Sequence, residues 1–280
     1  MKDFNNKVIV VTGAGSGMGR EYALLFAKLG AKLALCDLNI DTLEQTKKLV
    51  LEKFSTQVFI QQLDIGDRAS IFDFANNVMN RLGPADVLIN NAGIEGCINS
   101  AWQMAPEQIE TVMRINFYGV VNGTQAFIEH MFANGSGVIV NVSSIFGLLG
   151  TPLNADYCAS KFAVRGYTEA LMSELSESPI QVHLLHPGGI DTNITQNPHS
   201  QVFSDNLLIT PAKEVAKYVV QCIGKNKARI VIGNQSKKAY WATKILPLNW
   251  LTYLTWKELK SYISIKDRTL FFSKLFNRNK

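Results

Sequence analysis

The sequence is poor in the features that mark secreted, metal-bound or membrane-spanning chains. It has four cysteines, Cys36, Cys97, Cys158 and Cys222, far apart, with no CxxC and no histidine at zinc spacing. That argues against a disulfide framework or a zinc module and predicts isolated reduced thiols and no metal. There is no internal repeat, and twenty Gly and eight Pro do not make a low-complexity chain. The first apolar run, Val8–Val11, is too short for a signal segment and flows into glycines rather than a cleavage site. The chain is therefore expected to start at residue 1 and to work in the cytoplasm.

What is present is an ordinary core-forming composition, 47% hydrophobic and 18% charged. The net charge of +5 is unevenly spread. From Gly224 onward thirteen Lys or Arg face only Glu258 and Asp267, while the earlier part is net acidic. Such asymmetry points to an anionic partner at one end. No recognised nucleic-acid module accompanies it, so nucleic acid is not expected.

Apolar, β-rich runs alternate with helical patterns. Strands are predicted at 7–12, 32–37, 58–63, 86–90, 137–142, 180–186 and 229–232. Helices are predicted at 17–29, 40–54, 67–81, 107–132, 155–176 and 212–223. Val8–Val11 and Val87-Leu88-Ile89 are continuously apolar, which suits strands covered on both faces. The alternation predicts a doubly wound, Rossmann-like parallel α/β sheet with helices on both faces. Residues 1–235 would form this one domain, and 236–280 a basic, aromatic-rich C-terminal helical extension.

The first strand runs into Thr12-Gly13-Ala14-Gly15-Ser16-Gly17-Met18-Gly19, and a helix follows at once. A strand, a glycine turn and a helix N-terminus make a pyrophosphate site, because glycines admit the backbone and unpaired N–H groups attract the anion. The spacing is G-x-x-x-G-x-G, not G-x-G-x-x-G. Asp37 ends the second strand at the usual offset for a carboxylate that accepts from the adenosine 2′-OH. It would repel a 2′-phosphate, so NAD is favoured over NADP. Arg20 lies just past the turn, near enough to meet a phosphate. Asp64-Ile65 follow the third strand. Asp64 either bonds the adenine amino group or caps the next helix.

Tyr157 and Lys161 are four residues apart and share a helix face. A neighbouring ammonium favours phenolate and would bring the tyrosine toward a useful acid–base range. Asn90-Asn91-Ala92-Gly93 and Asn141-Val142-Ser143-Ser144 close two strands at the carboxyl edge, where such sheets bind ligands.

Taken together, Thr12-Gly13-x-x-x-Gly17-x-Gly19, Asn90-Asn91-Ala92-Gly93, Asn116, Ser144, Tyr157-x-x-x-Lys161 and Pro187-Gly188-x-Ile190-x-Thr192 resemble the short-chain dehydrogenase/reductase family in its compact form. The resemblance covers residues 5 to about 233. It implies reversible hydride transfer between a secondary alcohol or ketone and a nicotinamide cofactor. It makes Tyr157 the general acid/base, Ser144 the partner of the reacting oxygen, and Lys161 the group that lowers the tyrosine pKa and holds the nicotinamide ribose. Asn116 would complete a water-linked relay to Lys161. Ile190 and Thr192 would meet the carboxamide, beside Pro187 and Gly188. Asn91, Ala92 and Gly93 would approach the adenosine side. The spacing to tyrosine selects Ser144 over Ser143. Family members are commonly homodimers or homotetramers.

The segments 94–100 and 145–153, Phe146 among them, and the segment after Thr192 would line the substrate cleft. Their apolar residues favour a lipophilic substrate. Beyond Gly233 the resemblance fades. Ala239–Trp256 and Leu270–Phe276 mix aromatic and aliphatic residues with cations, including Lys266, Arg268, Arg278 and Lys280. Two readings stand: a helix over the cleft or at a subunit contact, and peripheral membrane contact. Other readings of the whole chain are a nucleotide-sugar epimerase, disfavoured by the Gly13, Gly17, Gly19 spacing, and a non-catalytic dinucleotide-binding scaffold.

Overall fold

A computed structural model describes residues 1–192 and 207–261. The first half contains β1 (Val8–Thr12), α1 (Gly17–Lys28), β2 (Lys32–Asp37), α2 (Ile40–Leu51), β3 (Val58–Gln62), α3 (Arg68–Leu82) and β4 (Val87–Asn90). Then come α4 (Pro106–Met113), a π-helical turn (Arg114–Tyr118), α5 (Gly119–Ala133), β5 (Gly137–Val142), a 3-10 turn (Ile145–Gly147), α6 (Ala155–Glu174) and β6 (Ile180–Gly188). The described remainder is β7 (Ile190–Asp191), β8 (Thr210–Pro211), α7 (Ala212–Gly224), β9 (Arg229–Gly233), α8 (Ser236–Ile245) and α9 (Leu248–Leu259).

Seven parallel strands form one sheet in the order β3-β2-β1-β4-β5-β6-β9. The apolar runs are continuous because side chains alternate between two buried faces. Ile9, Val11, Leu33, Leu35 and Ile89 pack on Tyr22 and Phe26 of α1 and Val219 of α7. Val8, Val10, Ala34, Leu88 and Ile139 pack on Phe74 of α3, Phe127 of α5 and Leu171 of α6. Each such large side chain contributes about 1.5–3 kcal/mol on burial. The winding reverses between β1 and β4, and the crevice at their carboxyl ends is where this topology takes a ligand.

Local signals set several boundaries. Gly30, at φ +80°, follows the end of α1. Asn39 caps α2 by accepting from the Thr42 N–H. Asp67, accepting from the Ala69 N–H at 3.0 Å, caps α3, so Asp64 does not. The single helix expected over 107–132 is interrupted by the π turn, which carries the buried Asn116. The aromatic segment after Gly233 is two helices, because Pro247 has no N–H to continue the first. α8 packs against β9, β6 and the 3-10 turn. No helix among the described residues is long and apolar enough to cross a membrane. Of the segment after Thr192, residues 193–206 lie outside the described residues, as does the Leu270–Phe276 stretch with its flanking cations, while Leu207 and Leu208 line the cavity described below.

Candidate active site

The ends of β1 and β4 are tied by Thr12, whose Oγ1 accepts from the Asn91 and Ala92 N–H groups, each at 3.0 Å. Asn91 Nδ2 returns bonds to the Thr12 and Gly13 carbonyls at 3.0 and 3.2 Å. This closeness requires glycine. Gly13 sits at φ +64°, and a Cβ there would lie 2.8 Å from Ala92 Cα. A Cβ on Gly19 would lie 2.0 Å from the Gly13 carbonyl oxygen. α1 opens at Gly17 with Ser16 in the cap position, its hydroxyl making no cap bond, and no acidic residue in the first turn. The first-turn N–H groups and the Ser16 hydroxyl thus form a cradle that fits a pyrophosphate. Met18 lies beyond it and lines the neighbouring cavity.

Asp37 is held at the end of β2. One carboxylate oxygen accepts from the Gly15 N–H at 2.8 Å and the other from the Asn39 N–H at 3.0 Å. Arg20 is turned away toward α2, donating to Thr46 Oγ1 at 2.9 Å and to the Gly15 and Thr42 carbonyls. Its guanidinium is therefore engaged within the protein. Asp64 accepts from the Gly66 N–H at 2.8 Å and pairs with Arg114 at 2.7 Å. Ile65 is buried, against the position a Gly119 side chain would fill.

α6 carries Tyr157 and Lys161 on one face, and β5 delivers Ser143 and Ser144. Ser143 Oγ donates to the Lys161 carbonyl at 2.8 Å, so it is spent on backbone. Ser144 Oγ accepts from the Phe146 N–H at 3.2 Å and faces the cavity beside Tyr157. The rings of Phe146 and Tyr157 meet edge to face at 6.0 Å. Lys161 is buried, its Nζ donating to the Val142 carbonyl at 3.1 Å and lying 5.6 Å from the tyrosine ring centroid. Asn116 Oδ1 accepts from the Ile94 N–H at 2.8 Å, and its Nδ2 donates to the Ile94 carbonyl at 3.0 Å and Ser160 Oγ at 3.2 Å. Asn116 Oδ1 and Lys161 Nζ both border Gly93, 3.0 and 3.4 Å from where its Cβ would stand.

The protonation balance differs from the sequence expectation. Burial pushes the Tyr157 hydroxyl up to about 12, with the Ser144 hydrogen bond acting in the lowering direction. Burial pushes Lys161 down to about 8. The expected lowering of the tyrosine by the lysine is not seen in the protein alone; both groups are shifted chiefly by the loss of water.

Some supporting contacts were invisible in the sequence. His186 Nδ1 bonds the Ser144 carbonyl at 2.8 Å, and burial pushes its pKa down to about 4. Asp156 accepts from the Cys97 N–H at 2.8 Å and the Tyr157 N–H at 2.7 Å, fixing the loop after β4 to the start of α6. Asn90 Nδ2 donates to Asn141 Oδ1 at 2.9 Å, and Asn141 Nδ2 to Thr168 Oγ1 at 3.1 Å. No periodic signal marks such contacts, because their partners are distant in sequence.

Above these groups is a cavity of about 440 Å³. Ser144, Tyr157, Pro187, Ile190 and Thr192 form one side, with Phe146, Ile98 and Leu149 beside them. Gly188 itself is sealed, since a Cβ there would lie 2.7 Å from the Asn234 carbonyl. Leu153, on the wall, holds a left-handed φ of +64° that a branched side chain adopts at a cost. The facing wall is α8 and α9, through Ala239, Ala242, Leu246, Leu251 and Leu259. The sequence left open a helix over the cleft, and that arrangement is observed, although it did not single out these residues. Ala239, Ala242 and Leu246 follow helical spacing, but the surrounding aromatics mask it.

A parallel sheet with a glycine cradle beside a Ser–Tyr–Lys cluster defines a dinucleotide-binding oxidoreductase. The short chain dehydrogenase family model matches residues 7–202. The chain is 38% identical over 251 residues to the putative oxidoreductase SadH of Mycobacterium tuberculosis, covering 85% of this chain and 90% of that protein. It is 32% identical over 217 residues to levodione reductase of Leifsonia aquatica, covering 77% and 80%. A crystal structure of levodione reductase superposes with a TM-score of 0.78 at 30% identity, over 85% of this chain and all of that one. A Burkholderia phymatum short-chain dehydrogenase/reductase in complex with NAD gives 0.77 at 29%, covering 82% and 90%. The chain belongs to the short-chain dehydrogenase/reductase family. It is an oxidoreductase acting on CH–OH groups with a nicotinamide cofactor.

Proposed function

We propose that this protein interconverts a lipophilic secondary alcohol and its ketone with NAD as the partner cofactor. The observation that carries this reading is the placement of Ser144 and Tyr157 in a cavity whose other walls are chiefly apolar, beside the glycine cradle. The preference for NAD rests on Asp37, fixed by two N–H groups, and on Arg20, already engaged.

The cradle at Gly13, Ser16, Gly17 and Gly19 would hold the pyrophosphate, with Met18 beyond it at the cavity and Asp37 on the adenosine ribose. Asn91, Ala92 and Gly93 would flank that side, with Asp64 and Ile65 toward the adenine. Pro187, Ile190 and Thr192 would hold the nicotinamide end, with Gly188 packed behind them. The bound nicotinamide supplies the hydride acceptor or donor. Tyr157 takes the hydroxyl proton in oxidation and returns it in reduction. Ser144 bonds the same oxygen and fixes its position. Phe146 packs on the tyrosine ring and limits its swing. Lys161, charged below about pH 8, favours the phenolate when Tyr157 has given up its proton. It would also hold the nicotinamide ribose hydroxyls. Asn116, next to Lys161 across Gly93, would pass the proton on through water.

We read residues 1–235 as the catalytic domain and 236–280 as an extension. A homodimer or homotetramer is the assembly that family membership favours. The cytoplasm is the compartment that four reduced cysteines fit. The test is a panel of secondary alcohols of rising chain length with NAD⁺, followed by NADH absorbance, for the natural protein and Tyr157→Phe. Turnover that grows with apolar length, and is lost in Tyr157→Phe while NADH still binds, supports the reading. Undiminished turnover in Tyr157→Phe would sink it.

A further inference from the structure

α8 and α9 have two contrasting faces. Ala242, Leu246, Leu251 and Leu259 look into the cavity. On the other side Trp241 and Ile245 of α8, Leu248 at the start of α9, and Trp250 and Tyr253 of α9 are between 57% and 74% exposed. Trp241 and Ile245 are four residues apart, and Trp250, Tyr253, Leu254 and Lys257 follow at three- and four-residue steps, so each set forms a stripe on its helix. Six of the fifteen exposed large apolar side chains among the described residues fall within 241–254. Elsewhere they are scattered, which is normal; here they form a patch, which is not.

The charge around the patch is of one sign. Lys237, Lys244, Lys257 and Lys260 lie on these two helices or directly after them, while Lys238 and Glu258 pair with each other at 3.0 Å and line the cavity. Exposed tryptophan and tyrosine with leucine between lysines is the composition of a helix lying at an anionic bilayer interface. A second copy of the same chain fits less well. A two-fold contact brings the same patch against itself, so the lysine rims would face each other. Anionic headgroups complement that rim instead.

We propose that the outer face of α8 and α9 docks the protein on an anionic membrane surface. Leu254 is both partly exposed on this face and part of the cavity lining. The rim of the cavity therefore opens beside the docking face, and an apolar alcohol dissolved in the bilayer reaches Tyr157 without crossing water. The docking itself does not depend on the hydride-transfer reading.

The experiment is cosedimentation of the full chain with phosphatidylcholine vesicles, with and without phosphatidylserine, at low and high salt. It is repeated for a variant carrying Trp241→Ser, Trp250→Ser and Tyr253→Ser. NADH binding and the melting temperature serve as checks that the variant folds, and light scattering gives the oligomer mass. The natural chain should pellet with phosphatidylserine vesicles, and salt should release it. The variant should bind at least about tenfold more weakly, with its oligomer mass unchanged. Natural protein left in the supernatant with both vesicles overturns the proposal. Equal binding by the variant overturns the assignment to this face. A change of oligomer mass in the variant, without vesicle binding by the natural chain, assigns the face to a second copy instead.

Discussion

Asp37→Asn is the substitution that tests cofactor choice most directly. The carboxylate cannot swing aside, because both oxygens are held by N–H groups at 2.8 and 3.0 Å. A 2′-phosphate on the adenosine ribose would sit within about 4 Å of it. Two unit charges at that distance repel by about 1 kcal/mol in water and about 4 kcal/mol at an effective dielectric near 20. For a half-exposed aspartate and a phosphate bearing between one and two charges, about 2–3 kcal/mol is expected. That is a preference for NAD of roughly thirty- to 150-fold. Asparagine keeps one acceptor oxygen but removes the charge. NADP efficiency should rise by most of that factor, and NAD efficiency should fall several-fold, because hydrogen bonds to a charged acceptor are the stronger ones. Reversal is not expected, since Arg20 stays bound to Gly15, Thr42 and Thr46. The assay is kcat/KM for both cofactors with one alcohol, backed by fluorescence titrations with NADH and NADPH that need no substrate. An unchanged NAD-to-NADP ratio in Asp37→Asn would refute the reasoning.

Other perturbations separate structure from chemistry. Ser143→Ala should lose about 1 kcal/mol of stability, the usual net worth of its bond to the Lys161 carbonyl, with kcat nearly intact. Ser144→Ala should do the reverse, and urea unfolding beside initial rates reads both. Gly13→Ala forces a side chain onto a left-handed φ and against Ala92; NADH affinity and melting temperature should both drop, by about 1–3 kcal/mol in stability. His186 is buried with its pKa lowered from 6.5 to about 4, so between those pH values the unfolded chain binds the extra proton. Stability should therefore fall as pH drops through that window, by up to about 3 kcal/mol, and His186→Asn should flatten the urea-midpoint profile there.

Much of the fold was legible because a buried parallel sheet writes itself as apolar runs. The strands at 32–37 and 137–142 match the observed β2 and β5 end to end. The cradle and the Ser144, Tyr157 and Lys161 set were legible because each lies in a short contiguous motif at a strand end or on a helix face. What escaped depends on contacts across the chain. The π turn at Asn116 is tied to Ile94, and Asp64 is drawn to Arg114 fifty residues on. Tyr157 is raised because several segments together exclude water, which a tyrosine–lysine spacing cannot express. The wall built by α8 and α9 escaped because the aromatics on their outer face hid the inner pattern.

The chain of amides and hydroxyls from Asn90 through Asn141 to Thr168 bears on how this protein can change over generations. It joins β4, which leads to the cofactor side, β5, which ends at Ser144, and α6, which carries Tyr157 and Lys161. It lies below the rim, out of reach of any substrate. The cavity wall is drawn from segments beyond this clamp, two of them near the end of the chain. A new substrate can therefore be acquired by rewriting those segments while the reacting groups keep their mutual positions. Inheritance can then vary what is oxidised separately from how it is oxidised.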